Sequence, residues 1–356
     1  MKRTMRTDSI KFMAAALCVA LSFVSCQNDN DADYSNIIYL TPAFQNATAA
    51  GTRAMASGDY ESYTAQDGDK IQAFTYYDEN SKSPLYGIQT GNFTYTNSEW
   101  KSTVGCEKES DIDIWSFMPA DIASATMNTK GTLTLDDLKI ISAKDVLYSV
   151  AAAKTQADLE AGSFHLTDVH LPMNEKDTED KVWFAMDHMF AMGTLNFSID
   201  SKYHTIRDIE ITGVKVSAAA GYSAATVTFG SPTTVAFSSA AYSGSALDVS
   251  IDLPEPDVTT GKVLLKESGQ DYGSFYFLPK AGIPLTLTVT YNVYTKNPDA
   301  SGDAVLTRPN QEAVTGKLIT IDNLKAGQSH KINITVKPTY LYVMADEDGE
   351  LELAIE

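Results

Sequence analysis

The stretch Leu285-Thr286-Leu287-Thr288-Val289-Thr290-Tyr291-Asn292-Val293-Tyr294 decides the fold class. Its side chains alternate at a period of two, placing Leu285, Leu287, Val289, Tyr291 and Val293 on one face of an extended chain and the threonines on the other. β-Branched and aromatic residues fill it, the types that pack best on a pleated surface. The pattern recurs in both directions. Towards the C-terminus it predicts strands at 331–337, 341–344 and 351–355, the last after the acidic turn Asp346-Glu347-Asp348-Gly349. Towards the N-terminus it predicts strands at 274–278, 233–238, 224–229, 206–216 and 194–199, with Gly230-Ser231-Pro232 supplying hairpin chemistry. Further upstream come 145–151, 139–143, 112–117, 92–96, 71–77 and 37–44, and a weakly alternating run at 165–171. Long helical periodicity is missing, and residues 151–161 offer one short helix. The pattern implies an all-β chain of antiparallel sheets packed as β-sandwiches.

A chain of 356 residues accommodates two domains. Asn174-Glu175-Lys176-Asp177-Thr178-Glu179-Asp180-Lys181 is charge-rich and without core-forming side chains, so the boundary is expected there, between residues 54–181 and 182–356. A formal charge of −19 repels phosphate backbones and argues against nucleic acid as a partner. Apolar residues at 44% against 21% charged exclude wholesale disorder. Cys18, Cys26 and Cys106 are the only cysteines, too few for a disulfide framework or a cysteine-rich zinc site.

The N-terminus reads as an address. Lys2, Arg3, Arg6 and Lys11 precede the apolar run 12–24, which is shorter than the about 20 residues a spanning helix needs. It ends Phe23-Val24-Ser25-Cys26, which is similar to the lipobox of bacterial lipoproteins, with Phe23 where leucine is usual. Residues 1–25 are then the signal peptide and Cys26 the lipidated residue; the other reading is an ordinary signal peptide that happens to hold a cysteine. Acyl chains contribute about 0.8 kcal/mol per buried methylene, and two or more make anchoring stable. Gln27-Asn28-Asp29-Asn30-Asp31-Ala32-Asp33 follows, either an acidic surface-export signal or a solvated spacer. The small-residue linker 46–52 leads to Arg53, the only basic residue between Cys26 and Lys70.

Catalytic chemistry finds no foothold. His165 and His170 are five residues apart and would face opposite sides of a strand, and His188, His204 and His330 are scattered. None has the spacing of a zinc site, and surface positions are expected for most. Asp346-Glu347-Asp348-Gly349-Glu350 lacks the ligand alternation of a calcium loop and reads as an acidic turn. Asp111 and Asp113 read as the solvated face of a strand, and Cys106 as a small buried residue. No nucleophile elbow or phosphate-binding loop occurs, and no cofactor or metal is implied.

Four further pieces stand in a telling order: Thr52-Arg53-Ala54; Asp67-Gly68-Asp69-Lys70-Ile71 leading into Ala73-Phe74-Thr75-Tyr76-Tyr77; Ile112-Asp113-Ile114-Trp115-Ser116-Phe117-Met118-Pro119; and Met186-Asp187-His188-Met189-Phe190-Ala191. Behind a lipoprotein leader, this order resembles the fimbrillin-like family, the subunits of type V pili and related lipoproteins of Gram-negative bacteria. The resemblance covers almost the whole chain. It implies two transthyretin-like β-sandwich domains in tandem and a structural, non-enzymatic role. It also implies a lipidated precursor at the outer membrane, held by lipid through Cys26, and cleavage by a trypsin-like protease between Arg53 and Ala54. The first strand, residues 37–44 within the segment 26–53, would then leave, opening a groove in the N-terminal domain for a strand from another pilin subunit. On this resemblance the donor lies within 341–356, with Leu341, Val343, Leu351, Leu353 and Ile355 as alternating apolar residues. The run 351–355 is the expected donor, since the acidic turn before it looks like a tether; either run is alternatively a closing strand of its own domain. The implied product is a cell-surface fimbrium supporting adhesion. The rival is a permanently lipidated surface protein binding a glycan or host ligand through aromatics such as Tyr60, Tyr63, Tyr76, Tyr77 and Trp100.

Overall fold

The computed structural model describes residues 37–44, 65–108, 110–160, 169–171, 181–230, 232–280, 282–283, 285–296, 304–315, 325–336 and 354–355. The chain begins with β1 (Ile37–Tyr39), β2 (Thr41–Phe44), β3 (Lys70–Tyr77), β4 (Gly87–Thr96), β5 (Glu99–Ser102) and β6 (Gly105–Glu107). Then come β7 (Ser110–Met118), β8 (Ser124–Thr129), β9 (Thr132–Lys139), β10 (Ile141–Ser142), β11 (Leu147–Ala153), α1 (Gln156–Glu160), β12 (Val169–Leu171) and β13 (Lys181–His188). The later part holds β14 (Ala191–Ile199), α2 (Ser201–His204), β15 (Arg207–Ala218), β16 (Tyr222–Thr228), β17 (Thr234–Phe237) and β18 (Leu247–Ser250). It ends with β19 (Gln270–Phe277), β20 (Leu285–Thr295), β21 (Val305–Thr315), β22 (Ser329–Val336) and β23 (Ala354–Ile355).

The molecule is all-β. An eight-stranded sheet runs β2-β13-β11-β7-β3-β4-β5, with β12 pairing beside β7, and β1 pairs separately with β6. The other sheets run β10-β19-β14-β22-β23, β18-β15-β20-β21 and β17-β16-β9-β8. Pairing is antiparallel except for β2 with β13 and β14 with β22. Both exceptions join strands far apart in sequence, as parallel pairing requires.

Two large apolar cores form among the described residues, and β7 serves both. Ile112, Ile114 and Met118 face the first core with Ile71, Ala73, Phe93, Val182 and Phe184. Trp115 and Phe117 face the second with Leu133, Leu135, Phe190, Phe197, Phe275 and Phe277. Because both faces of β7 are covered, apolar side chains stand at successive positions, Ile114-Trp115 and Phe117-Met118, pointing to opposite cores. Asp113 departs from the expected solvated face: it is buried and paired with Lys130. A charge survives at that depth only because a cation reaches it.

The segment 186–191 crosses between the cores. Met186 packs in the first, while Met189, Phe190 and Ala191 pack in the second. His188 is an exception to the surface positions expected for most histidines: it is buried, its Nδ1 lying 2.6 Å from Asp145 Oδ2. The Asp67-Gly68-Asp69 turn is equally specified. Gly68 adopts φ 92°, and buried Asp69 accepts from the Gln66 amide at 2.8 Å and pairs with Lys144.

The boundary expected near residue 181 falls at the first residue of β13, a member of the eight-stranded sheet. Strands from before that point also join later ones, since β9 pairs with β16 and β10 with β19. No strand is expected within 124–138, although Thr132-Leu133-Thr134-Leu135 alternates before Asp137 at φ 51° interrupts the period, and Leu133, Leu135 and Leu138 are fully buried. Leu135→Ala is therefore expected to cost about 2–5 kcal/mol and to lower the midpoint of one common transition. Urea unfolding followed by both circular dichroism and tryptophan fluorescence checks this; a second, unshifted transition would show that the parts unfold independently.

Candidate functional site

Residues 37–44 form the candidate site. Their inward residues are Ile38, Leu40, Pro42 and Phe44: Leu40 and Pro42 are buried, while Ile38 and Phe44 are partly buried. Tyr39, on the outward face, is 57% exposed. This is one strand of period two, broken at Leu40 because its two parts pair with different neighbours. β1 runs antiparallel to β6, with Ile37 opposite Glu107, Ile38 opposite Cys106 and Tyr39 opposite Gly105. The Leu40 amide donates to the Val104 carbonyl at 2.9 Å. Beyond it β2 runs parallel to β13, from Thr41 beside Lys181 to Phe44 beside Phe184.

β2 and β5 stand at opposite ends of the eight-stranded sheet, yet they meet. The Phe44 ring lies 6.1 Å from that of Trp100 on β5 and 6.5 Å from that of Phe184 on β13. Trp100 is in turn 5.1 Å from Tyr95. The sheet therefore curls until its ends touch, and residues 37–44 close the seam over the first core. Burial of each large apolar side chain contributes about 1.5–3 kcal/mol before ordering costs. Closeness of fit shows at Gly105, where an added Cβ would come within 3.1 Å of Ile37 Cγ2.

Two polar features mark the seam. Cys106 is fully buried opposite Ile38, as its reading as a small buried residue anticipated. Glu107, next to it, is only 9% exposed and accepts a 2.9 Å hydrogen bond from the Tyr77 hydroxyl. No cation pairs with Glu107 among the described residues, unlike Asp69 with Lys144 and Asp113 with Lys130. Burial holds the Tyr77 phenol above its ordinary range; a hydrogen bond with Ser110 opposes this and the Glu107 carboxyl adds to it.

Of the residues the sequence singled out, Cys26, Arg53, Ala54, Leu341, Val343, Leu351 and Leu353 lie outside the described residues. Ile355 lies on β23, with its backbone paired to Ile334 of β22. The aromatics offered for sugar stacking are differently employed. Tyr77 is buried, Tyr76 lies beneath Lys130 with the ammonium 4.6 Å from the ring centre, and Trp100 packs in the seam. Tyr60 and Tyr63 lie outside the described residues. His204 sits between Glu267, 2.7 Å from Nδ1, and Asp208, 3.2 Å from Nε2, in an ion network with Lys296. Among the described residues no cluster of three His, Cys, Asp or Glu side chains is placed to hold a metal ion. The sequence did not point to Glu107 or to the Phe44–Trp100 closure; both depend on pairings between distant strands.

No family model and no curated protein matches the chain. Among solved structures, it is similar to a fimbrial protein from Bacteroides vulgatus, with 16% identity over 89% of this chain and 98% of that one, at a TM-score of 0.39. It is also similar to the fimbrial anchor protein Mfa2 from Porphyromonas gingivalis, with 12% identity over 88% of this chain and 94% of that one, at a TM-score of 0.32. At such identities, function has to be sought in this chain's own residues.

The seam generates a direct expectation. Leu40→Ala removes its most deeply buried side chain and should cost about 2–5 kcal/mol locally. Since opening of the strand uncovers Cys106, maleimide labelling of that thiol should accelerate by at least about tenfold. Labelling at the wild-type rate would mean that the thiol is reached by another route.

Proposed function

We propose that this protein is a structural subunit of a cell-surface pilus, exported as a lipoprotein through Cys26 and assembled by strand exchange at the seam. The observation that carries the reading is the placement of residues 37–44. They close an apolar core as a single strand, and they lie between the lipidation candidate Cys26 and Arg53. Cleavage between Arg53 and Ala54 would cut the covalent link between this strand and the rest of the fold. The vacated seam offers unpaired backbone on β6 and β13 and apolar pockets at the positions of Ile38, Leu40, Pro42 and Phe44. A strand from another subunit satisfies both, main-chain bonds giving affinity and alternate pockets giving register. On this reading the partners are other pilin subunits, outer-membrane lipid before processing, and a trypsin-like protease. The destination is the outer membrane and then the fimbrium, where the assembled chain supports adhesion.

The mature N-terminus on cells tests the proposal. Mass spectrometry of surface-extracted protein should find chains beginning at Ala54, in polymers; an acylated Cys26 on every chain would instead favour a permanently anchored surface protein. Cys26→Ala should abolish labelling by a palmitate analogue and membrane attachment, while an unlabelled wild type would end the lipoprotein reading. In the purified full chain, limited trypsin should cut at Arg53 before other basic sites, since small residues surround it. Cys106 labelling should rise after that cut, and persistent protection would show that the strand stays in place.

A further inference from the structure

We propose that Glu107 is a charge filter at one end of the seam, and that it selects residues 338–344 of a second copy, rather than 351–355, as the entering strand. The proposal rests on the strand-exchange reading and adds which segment enters. Glu107 is nine-tenths buried, has the Tyr77 hydroxyl as its hydrogen-bond partner and has no cation among the described residues. In the closed seam the residue directly opposite it is Ile37, which is uncharged. Side chains of directly opposed residues in an antiparallel pair share a face, and like charges there are unfavourable. Withdrawal from water makes such a juxtaposition costlier than at the surface.

The two C-terminal runs differ sharply under this constraint. Consider entry with the polarity of residues 37–44. Leu351 in the place of Ile38, with Leu353 and Ile355 following, brings Glu350 opposite Glu107. Sliding the run by one pocket, with Leu351 in the place of Leu40, brings Asp348 there; the next pocket brings Asp346. Every such register sets acid against buried acid. The other run is Pro338-Thr339-Tyr340-Leu341-Tyr342-Val343-Met344, which is uncharged throughout. Leu341 in the place of Leu40 puts Val343 in the place of Pro42 and Pro338 opposite Glu107. It also sets Tyr340-Leu341 where Tyr39-Leu40 stood, with a tyrosine on the outward face again.

A second observation points the same way. Ala354 and Ile355 pair with Thr335 and Ile334 on β22, so these two residues of the last run are engaged in the chain's own sheet. Both placements fit one chain. At about 3.3–3.6 Å per extended residue, residues 345–353 reach far enough to retrace 337–344 and return to β22.

The test uses full-length chain cleaved at Arg53, with maleimide labelling of Cys106 as the measure of an open seam. Synthetic peptides of residues 338–345 and 350–356 are added as competitors. The first should protect Cys106 at a concentration at least about tenfold lower than the second, and Glu107→Gln, which keeps an acceptor for Tyr77, should shrink the gap to about threefold or less. Equal protection by both peptides, preference for 350–356, or a gap unchanged in Glu107→Gln overturns the filter. If Cys106 stays unlabelled after cleavage, strand exchange itself fails and the assignment falls with it. In whole chains, Leu341→Asp should stop polymerisation without lowering the monomer's melting temperature, whereas Leu353→Asp should lower that temperature. The reverse pattern would assign the donor role to the last run.

Discussion

Phe44 against Trp100 is the contact on which the first core depends, because it joins the two ends of one sheet. A sheet that curls this far must hide two edges. Here a single strand does so by changing partners at Leu40, antiparallel to β6 before it and parallel to β13 beyond it. The closing element is thus the one least integrated into the sheet's hairpins. It is attached by chain continuity, ladder bonds and four inward side chains, and the core it covers includes Cys106, Phe93, Phe184 and Met186.

Charge is distributed in a way that reinforces this asymmetry. The buried acids Asp69 and Asp113 each have a cation, Lys144 and Lys130 respectively. Asp69 secures the turn entering β3, and Asp113 sits on the strand shared by both cores. Glu107, beside the strand that closes the seam, has a phenol instead. A buried acid without a cation is costly to leave and costlier to crowd, so it constrains what can lie opposite it.

Much of this was legible in the sequence. Alternation marked residues 285–294, 206–216 and 71–77, and all three are strands; in the first, Leu285, Leu287, Val289, Tyr291 and Val293 are buried as expected. The segment 37–44 stood out for the same reason, as an apolar strand standing alone before a small-residue linker. The strand at 305–315 has no such local signature. Val305–Thr315 is an edge strand interrupted by Pro309 and by Asn310 at φ 53°, with Val305, Leu306 and Val314 exposed, so no one-sided alternation survives. Asp113 looked solvated because alternation predicts one wet face, and a central strand between two cores has none. Glu107 could not be singled out, since its importance arises from a pairing between residues 37–39 and 105–107.

The covalent link through residues 45–64 matters energetically as well as topologically. While it is intact, strand 37–44 competes for its seam intramolecularly, at an effective concentration that free strands cannot match. A second strand with equally good side chains cannot displace it under those conditions. Cutting the link makes the resident strand one more bimolecular ligand, and every residue it had ordered regains its conformational entropy on leaving. On the proposed reading, proteolysis need not weaken a single contact in the seam to make exchange possible. It removes the concentration advantage, after which pocket fit and the acid at Glu107 decide which strand stays. On that reading the chain would stay closed until cut, which would separate export from assembly without a change in the fold of the rest of the molecule.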